Sequence, residues 1–327
     1  MKIYNWGIIG PGNIAGKFTA GLKTLENARL HSVASRSAER AAAFAGKFGY
    51  SNSFGNYRDF VSDPELDVVY IASPHSHHYE HTMLCLDNNK HVICEKAFAF
   101  NSSQVEEMIN KAKQKNLFLM EALWPPFQPS YKKAHELLAG KKTGRVKYMI
   151  SKFAFNSPYD PAARTFNPDL AGGSLLDIGI YPVIDALTFL GKPGSIKAST
   201  VFAPTGVDSS IAVLFGYEDG RGASLYSSFT NDGGISTELI CENANIKISR
   251  TRDHRQLLSV QFSNGEEEEY SFIPVSMGFN FEGEEVMKCL DKGLTESNVV
   301  PLSFSRQLIN TLDEIRHNAG IIYPLEK

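Results

Sequence analysis

The run Tyr4-Asn5-Trp6-Gly7-Ile8-Ile9 leads directly into Gly10-Pro11-Gly12-Asn13-Ile14-Ala15. A G-x-G-x-x-A spacing at the junction of an apolar strand and a helix constrains the chain more than any other stretch. Gly10 permits a tight turn. Gly12 lets the backbone approach a pyrophosphate, and the small Ala15 lets the helix lie close on the strand. The exposed amides at that helix start, over Asn13, Ile14 and Ala15, then face the phosphates. A plain strand-to-helix turn carries such glycines too, so the rest of the chain has to decide.

Beyond the glycines, strand and helix alternate. The residues 3–9 read as a buried strand and 14–25 as the helix that covers it, with Ile14, Phe18, Leu22 and Leu25 on one face. Further strands are expected at 30–34, 66–72, 91–94 and 117–120, and helices at 38–48, 79–86 and 105–115. Such alternation predicts a doubly wound parallel sheet, a Rossmann domain over 1–122. Polar clusters stand after successive strands: Gly10 to Ala15, then Ser35-Arg36, then Ser73-Pro74-His75-Ser76-His77-His78, then Glu95-Lys96. In an open α/β sheet the carboxyl edge of the strands is where ligands bind. Four clusters on that edge select the dinucleotide reading.

At the end of the second strand an NAD enzyme usually places an acid on the ribose 2′-hydroxyl. Here Ser35-Arg36-Ser37 stands instead. Arg36 is suited to fork onto a 2′-phosphate while Ser35 donates a hydroxyl, so NADP is expected over NAD, the alternative being a solvated arginine. The histidines His75, His77, His78 and His81 lack the spacing of a standard zinc site, and no metal is expected. His78 is read as orienting the loop under the cofactor. Lys96, at a strand end beside the cofactor, is a fixed positive charge suited to polarising a substrate oxygen, or else part of a surface ion pair with Glu95.

After Glu121 the pattern changes. Trp124-Pro125-Pro126-Phe127-Gln128-Pro129 reads as a rigid aromatic hinge, and a second domain is expected over 123–327. Strands are expected at 146–155, 196–202, 211–217, 223–229, 236–242, 245–249, 257–262 and 269–273. Asp219-Gly220 and Asn264-Gly265 mark hairpins, so this sheet is expected to be large, open and mostly antiparallel. Helices are expected at 281–292 and 304–319. Before most of these strands lies Gly172-Gly173-Ser174-Leu175-Leu176-Asp177-Ile178-Gly179-Ile180-Tyr181-Pro182. A helix over 174–190 puts Asp177 and Tyr181 on one face, with a kink expected at Pro182. Either these side chains are aimed at a ligand, or Asp177 is a helix-start acid and Tyr181 a core residue. Trp124, Phe155 and Arg164 are candidate substrate contacts.

A formal net charge of −3 gives no basic surface for nucleic acid or an anionic membrane. No apolar run is expected to span a bilayer, and the first residues do not read as a signal peptide. Cys85, Cys94, Cys241 and Cys289 are scattered without C-x-x-C spacing, which points to a reduced, cytoplasmic protein.

Taken together, these motifs resemble the glucose–fructose oxidoreductase / inositol dehydrogenase / rhizopine-catabolism (Gfo/Idh/MocA) family along essentially the whole chain. Ser35-Arg36 and Leu175-Leu176-Asp177-Ile178-Gly179-Ile180-Tyr181 look most like its branch of dimeric dihydrodiol dehydrogenases and NADP-dependent pentose dehydrogenases. The resemblance implies that Lys96 is the catalytic lysine and Asp177 the aspartate of the family's D-x-x-x-H. Tyr181 stands where many members have histidine. Two departures stand out. Ala97 replaces the usual proline after Glu-Lys, which is expected to loosen the loop or reseat Lys96. Pro126 replaces an arginine.

The expected reaction is hydride transfer between nicotinamide and the carbinol carbon of a sugar, polyol or cyclic trans-diol. Tyr181 is the expected proton carrier, Lys96 the cation that lowers its pKa, and Asp177 the group that orients Lys96 or binds a second hydroxyl. Two alternatives are a sugar–sugar oxidoreductase with tightly held NADP and a non-catalytic nucleotide-sensing regulator. The helices are too few to cover both faces of the second sheet, so a homodimer through that sheet is expected.

Overall fold

A computed structural model describes residues 2–251 and 254–324. The chain divides into two compact units, one comprising Met1–Trp124 and Val275–Ile309, the other Pro125–Pro274 and Asn310–Lys327. Division into two consecutive domains at 122/123 therefore misses one feature. The chain returns to the first unit for residues 275–309.

The first unit holds six parallel strands, β1 (Tyr4–Ile9), β2 (Ala28–Ala34), β3 (Asn52–Phe54), β4 (Val68–Ile71), β5 (His91–Glu95) and β6 (Leu119–Ala122). Their order is β3-β2-β1-β4-β5-β6. β1 pairs with both β2 and β4, so the order reverses beside β1, the switch point where such sheets bind ligands. The connecting helices are α1 (Asn13–Leu22), α2 (Ala38–Phe48), α3 (Tyr57–Val61), α4 (His78–Asp87) and α5 (Ser102–Lys115). α1 is seated by rings: Phe18 stacks on Tyr70 at 3.8 Å between centroids and meets Trp6 at 5.7 Å. Such pairs add about 0.5–1.5 kcal/mol each beyond area burial.

In the second unit, α6 (Pro129–Ala139) precedes β7 (Val146–Ala154). A helical stretch ending in α7 (Ile180–Leu190) comes next, then β8 (Ser195–Phe202), β9 (Asp208–Gly216), β10 (Gly222–Ser228), β11 (Gly234–Cys241), β12 (Ala244–Arg250), β13 (Gln256–Phe262) and β14 (Glu267–Phe272). The eight strands run in the order β14-β13-β12-β11-β7-β10-β9-β8. All pairs are antiparallel except β7 with β10. All eight expected strands are present, with ends moved by a few residues. Helix α8 (Asn280–Asp291) lies in the first unit, and α9 (Leu302–Ala319) is divided between the two at Ile309/Asn310.

The expected single helix over 174–190 takes another form. Residues Leu175–Gly179 are π-helical and α7 starts afresh at Ile180. Pro182 thereby falls in the first turn of α7, where no amide has to reach back, and the expected proline kink is replaced by a change of helix type. The stretch Pro168–Leu190 is, by length and composition, apolar enough to cross a membrane, contrary to the expectation of no such run, yet 83% of its most apolar 18-residue window is buried inside the protein. It is the core helix of the second unit.

Candidate active site

Gly10 has φ +86°, and a Cβ there would lie 2.7 Å from Ser73 N. The loops after β1 and β4 thus meet backbone to backbone at the switch point. Gly12 is different. The nearest atom to a Cβ there would be Gly10 O at 4.0 Å, so among the described residues no packing demands a glycine. Gly12 is the N-cap of α1, with no side-chain cap and no acid in the first turn. The amides of Asn13, Ile14 and Ala15 have no acceptor within their helix. Open space, uncapped amides and an uncompensated helix dipole fit the pyrophosphate of a dinucleotide.

At the end of β2, Ser35 is buried and Arg36 exposed. Ser35 Oγ accepts from Ser37 N at 3.3 Å. Ser37 Oγ caps α2 at Arg40 N, 3.1 Å away, and donates to Glu39 Oε2 at 2.7 Å. A carboxylate therefore reaches this turn from within α2, which the tripeptide alone does not reveal. Arg36 also acts on Tyr57 and His81, whose rings meet edge-on at 4.5 Å. Tyr57 has no sequence signal beyond an aromatic residue at a helix start.

The loop after β4 is organised by histidines. His78 is fully buried, with Nδ1 2.7 Å from Ala97 O and Nε2 2.8 Å from Ser73 O. Burial pushes its pKa down to about 4, so at pH 7 the ring is neutral and donates through one nitrogen at a time. The ring lies between the loops bearing Ser73-Pro74 and Lys96 and donates to one of their two carbonyls. His75 is buried, 5.5 Å from the His78 ring, and His81 Nδ1 meets Ser73 Oγ at 2.9 Å. No group of three or more His, Cys, Asp or Glu among the described residues is arranged to hold a metal ion.

The Lys96–Ala97 peptide is cis. Ala97, Phe98, Ala99 and Phe100 are buried, Cys94 Sγ meets Phe98 O at 3.9 Å, and Phe98 N donates to Glu121 Oε1 at 3.0 Å. The loop is thus held from several sides despite Ala97 in place of proline. Glu95 is buried and accepts a hydrogen bond from the Tyr70 hydroxyl, so its carboxylate is directed toward the ring stack under α1. Two further buried acids carry no sequence signal. Burial raises the pKa of Glu121 to about 7, Glu95 raising it further while the bond from Phe98 and the charge of Lys96 oppose. Glu282, on α8, has no hydrogen-bond partner at either oxygen among the described residues, and burial raises its pKa well above the usual carboxyl range. Trp124 Nε1 donates to Met277 O at 2.9 Å.

In the second unit, Asp177 lies in the π-helical stretch and Tyr181 in the first turn of α7. Arg164 grips Asp177 with two parallel bonds, Nη1 to Oδ1 at 2.8 Å and Nη2 to Oδ2 at 3.0 Å. Arg164, expected as a substrate contact, thus fixes the Asp177 carboxylate. The Tyr181 ring packs 5.4 Å from Phe153, which continues through Phe155 and Phe229 to Phe166 as a connected set of rings. Phe155 is on this aromatic strip and is 36% exposed.

Gly172-Gly173 serves the protein's own packing. A Cβ on Gly172 would meet Arg164 O at 2.7 Å. One on Gly173, at φ +125°, would meet Asp208 Oδ1 at 2.1 Å. Asp208, at the start of β9, caps the helical stretch by accepting from Leu175 N at 2.6 Å and Ser174 Oγ at 2.9 Å. Burial raises its pKa to about 6. A cap supplied from 33 residues downstream has no local sequence signature.

Residues 4–123 match the model of an oxidoreductase family with an NAD-binding Rossmann fold, and residues 131–247 match the GFO/IDH/MocA C-terminal domain. Among curated relatives, the trans-1,2-dihydrobenzene-1,2-diol dehydrogenase of Xenopus laevis is 34% identical, covering 98% of this chain and 99% of the relative. The human protein of the same name is also 34% identical, covering 98% of each. Among solved structures, a 3-ketoreductase from Actinomadura kijaniata with NADP and TDP-benzene superposes with a TM-score of 0.89 at 21% identity, covering 97% of this chain and 98% of that one. A levoglucosan dehydrogenase with NADH and levoglucosan superposes at 0.88 and 20% identity, covering 98% of each.

Proposed function

The chain belongs to the GFO/IDH/MocA oxidoreductase family, and from that premise we propose that it is an NADP-dependent dehydrogenase of cyclic trans-diols, polyols or sugars. The observation that carries this reading is full-length similarity to dihydrodiol dehydrogenases in a chain that has Lys96, Asp177 and Tyr181. Bound nicotinamide supplies the hydride acceptor or donor.

The chain's own residues do the rest. Tyr181 takes the hydroxyl proton as the alcohol is oxidised and returns it in reduction. A tyrosine normally titrates near about 10, too high for a base at neutral pH, so a positive charge is required to lower it. Lys96 is assigned that charge and the grip on the reacting oxygen. Asp177, held in place by Arg164, accepts a hydrogen bond from a neighbouring hydroxyl of the substrate. The rings of Phe153 and Phe155, with Phe229 buried behind Phe155, suit a substrate with one apolar face, as a cyclic diol or a sugar ring has. Arg36 and Ser35 support NADP over NAD. The test is turnover of trans-dihydrodiols, inositols and aldoses, read by NADPH absorbance, for the protein and for Lys96→Ala and Tyr181→Phe. A large fall in turnover in both variants, to a measurable residue in Tyr181→Phe with nucleotide binding kept, is expected. Undiminished turnover in Tyr181→Phe sinks its assignment.

The outer face of the eight-stranded sheet is proposed to pair with a second copy. Ile150, Ser224, Leu214 and Lys197 form one row across β7, β10, β9 and β8. Ile150 and Leu214 are 40% and 53% exposed, and Val201 on the same face of β8 is 62% exposed. Leu214→Lys is expected to give monomers in sedimentation. An unchanged mass for that variant, or a monomeric parent, refutes the pairing.

A further inference from the structure

Asp185 is a buried acid that the mechanism leaves unused. It lies on α7, one turn after Tyr181, and is 3% exposed. Three hydroxyls from three other elements converge on its carboxylate. Tyr131 of α6 donates to Oδ1 at 2.6 Å. Ser151 of β7 donates to Oδ2 at 2.8 Å, and Thr237 of β11 donates to Oδ2 as well. Ser151 and Thr237 are directly opposed across the β7–β11 pair, with 3.0 Å between their hydroxyl oxygens. Burial raises the pKa of Asp185, while the three hydroxyls oppose that shift.

A buried acid is a poor way to gain stability. Desolvation offsets most of what its bonds return, and an apolar residue of similar volume is often as good or better. What such a group does supply is orientation, because three directed bonds admit only one rotation of the helix that carries it. The register shows what that rotation controls. Asp185 meets Ser151 on β7, and Tyr181 meets Phe153 two residues along the same strand face. Four residues of helix rise about 6 Å and two residues of strand about 6.6 Å. Helix and strand therefore stay in step, and the two contacts are successive teeth of one register.

We infer that Asp185 is a positioning residue for Tyr181: its bonds to Tyr131, Ser151 and Thr237 set the rotation and register of α7, and so the place of the Tyr181 hydroxyl. This rests on the reading of Tyr181 as the proton carrier. A side-chain tip stands about 5–6 Å from a helix axis. A rotation of roughly 10° therefore moves it by about 1 Å, a displacement that can cost about 10²-fold in rate.

A double-mutant cycle on the full chain tests this. Asp185→Asn keeps shape and one acceptor oxygen but cannot take all three hydroxyls as before. It is expected to lower kcat by roughly 10- to 100-fold, with the dissociation constant for NADPH unchanged. In a Tyr181→Phe background the same change is expected to alter the residual kcat by less than about threefold, because the group it positions is gone. Equal fold-losses in both backgrounds mean a merely structural acid and overturn the inference, as does no loss in the parent. Should Tyr181→Phe by itself leave turnover intact, the proton-carrier reading fails first and separately. If Asp185→Asn does not fold, Ser151→Ala and Thr237→Val each remove one donor while leaving the acid, and the same cycle is run with them. Non-additivity with Tyr181→Phe supports the inference, and additivity overturns it.

Discussion

Glu121 offers the most direct measurement of the electrostatics behind Lys96. It is buried at the end of β6, with Oε1 accepting from Phe98 N at 3.0 Å. Its Oε2 and the nearby Ser305 hydroxyl do not meet hydrogen-bond geometry. Burial lifts its pKa from 4.5 to about 7. The folded chain thus keeps this proton to a higher pH than the unfolded chain does. Between the two values the native state binds more protons, so this group's contribution to stability falls as pH rises from about 4.5 to about 7 and is level above that. The difference, 7 − 4.5 = 2.5, corresponds to about 3 kcal/mol in full, most of which falls between pH 5 and 8. Glu121→Gln keeps an acceptor for Phe98 and removes the titration. Urea unfolding of both proteins at pH 5, 6, 7 and 8, monitored by circular dichroism, gives the comparison. The variant is expected to gain on the parent by about 2–3 kcal/mol across that range, whatever constant offset its new amide brings. Other titrating groups are common to both chains and cancel. A difference between the two proteins that does not change with pH refutes the burial argument for Glu121.

Gly173→Ala places a Cβ 2.1 Å from Asp208 Oδ1 at φ +125°. Backbone strain and the displaced cap together are expected to cost about 3–6 kcal/mol in urea unfolding, and a loss under about 1 kcal/mol contradicts the packing role of the glycine pair. Arg36→Ala is expected to weaken NADPH roughly 10- to 150-fold, the worth of one charge-assisted bond, while barely touching NADH. Equal weakening of both, measured by titration calorimetry, argues against a 2′-phosphate contact. Arg164→Ala frees the Asp177 carboxylate. Because Arg164 is half exposed, the expected fall in kcat/KM is only about tenfold, with NADPH affinity kept; an unchanged kcat/KM removes Asp177's clamp from the mechanism.

Much of the fold is legible in the sequence because its signals are local. Apolar runs ending in Gly10, Ser73 and Glu95 state where strands stop and what stands at their ends, and parallel topology then brings those ends to one edge. Glycine spacing points to the right residues. Gly12 has open space for a ligand, whereas Gly10 and Gly172-Gly173 are required by backbone or side chains of this protein. Those partners lie far along the chain, and no spacing rule connects Gly173 with Asp208. The buried acids are hidden for a related reason. Asp185 and Glu121 stand inside apolar runs and Glu282 in a helix rich in acids, and only packing shows what encloses each carboxyl and which groups meet it. Periodicity identifies α8 as amphipathic but carries no statement of which core receives its apolar face.

The placement of α8 bears on how the protein is made. The nucleotide-binding unit is not finished when residue 124 leaves the ribosome. Gly21 of α1 packs against the backbone of Phe279 and Asn280, and Leu119 N bonds to Thr295 O at the start of β6. At roughly 5–20 residues per second, the segment that supplies these contacts emerges about 10–30 s later. During that interval the whole antiparallel sheet is synthesised, while one flank of α1 and part of the edge strand β6 lack their final cover. The first unit of the chain to be translated is thus among the last to be completed, and its exposed flank is where a chaperone or a misfolded neighbour has the longest opportunity to act.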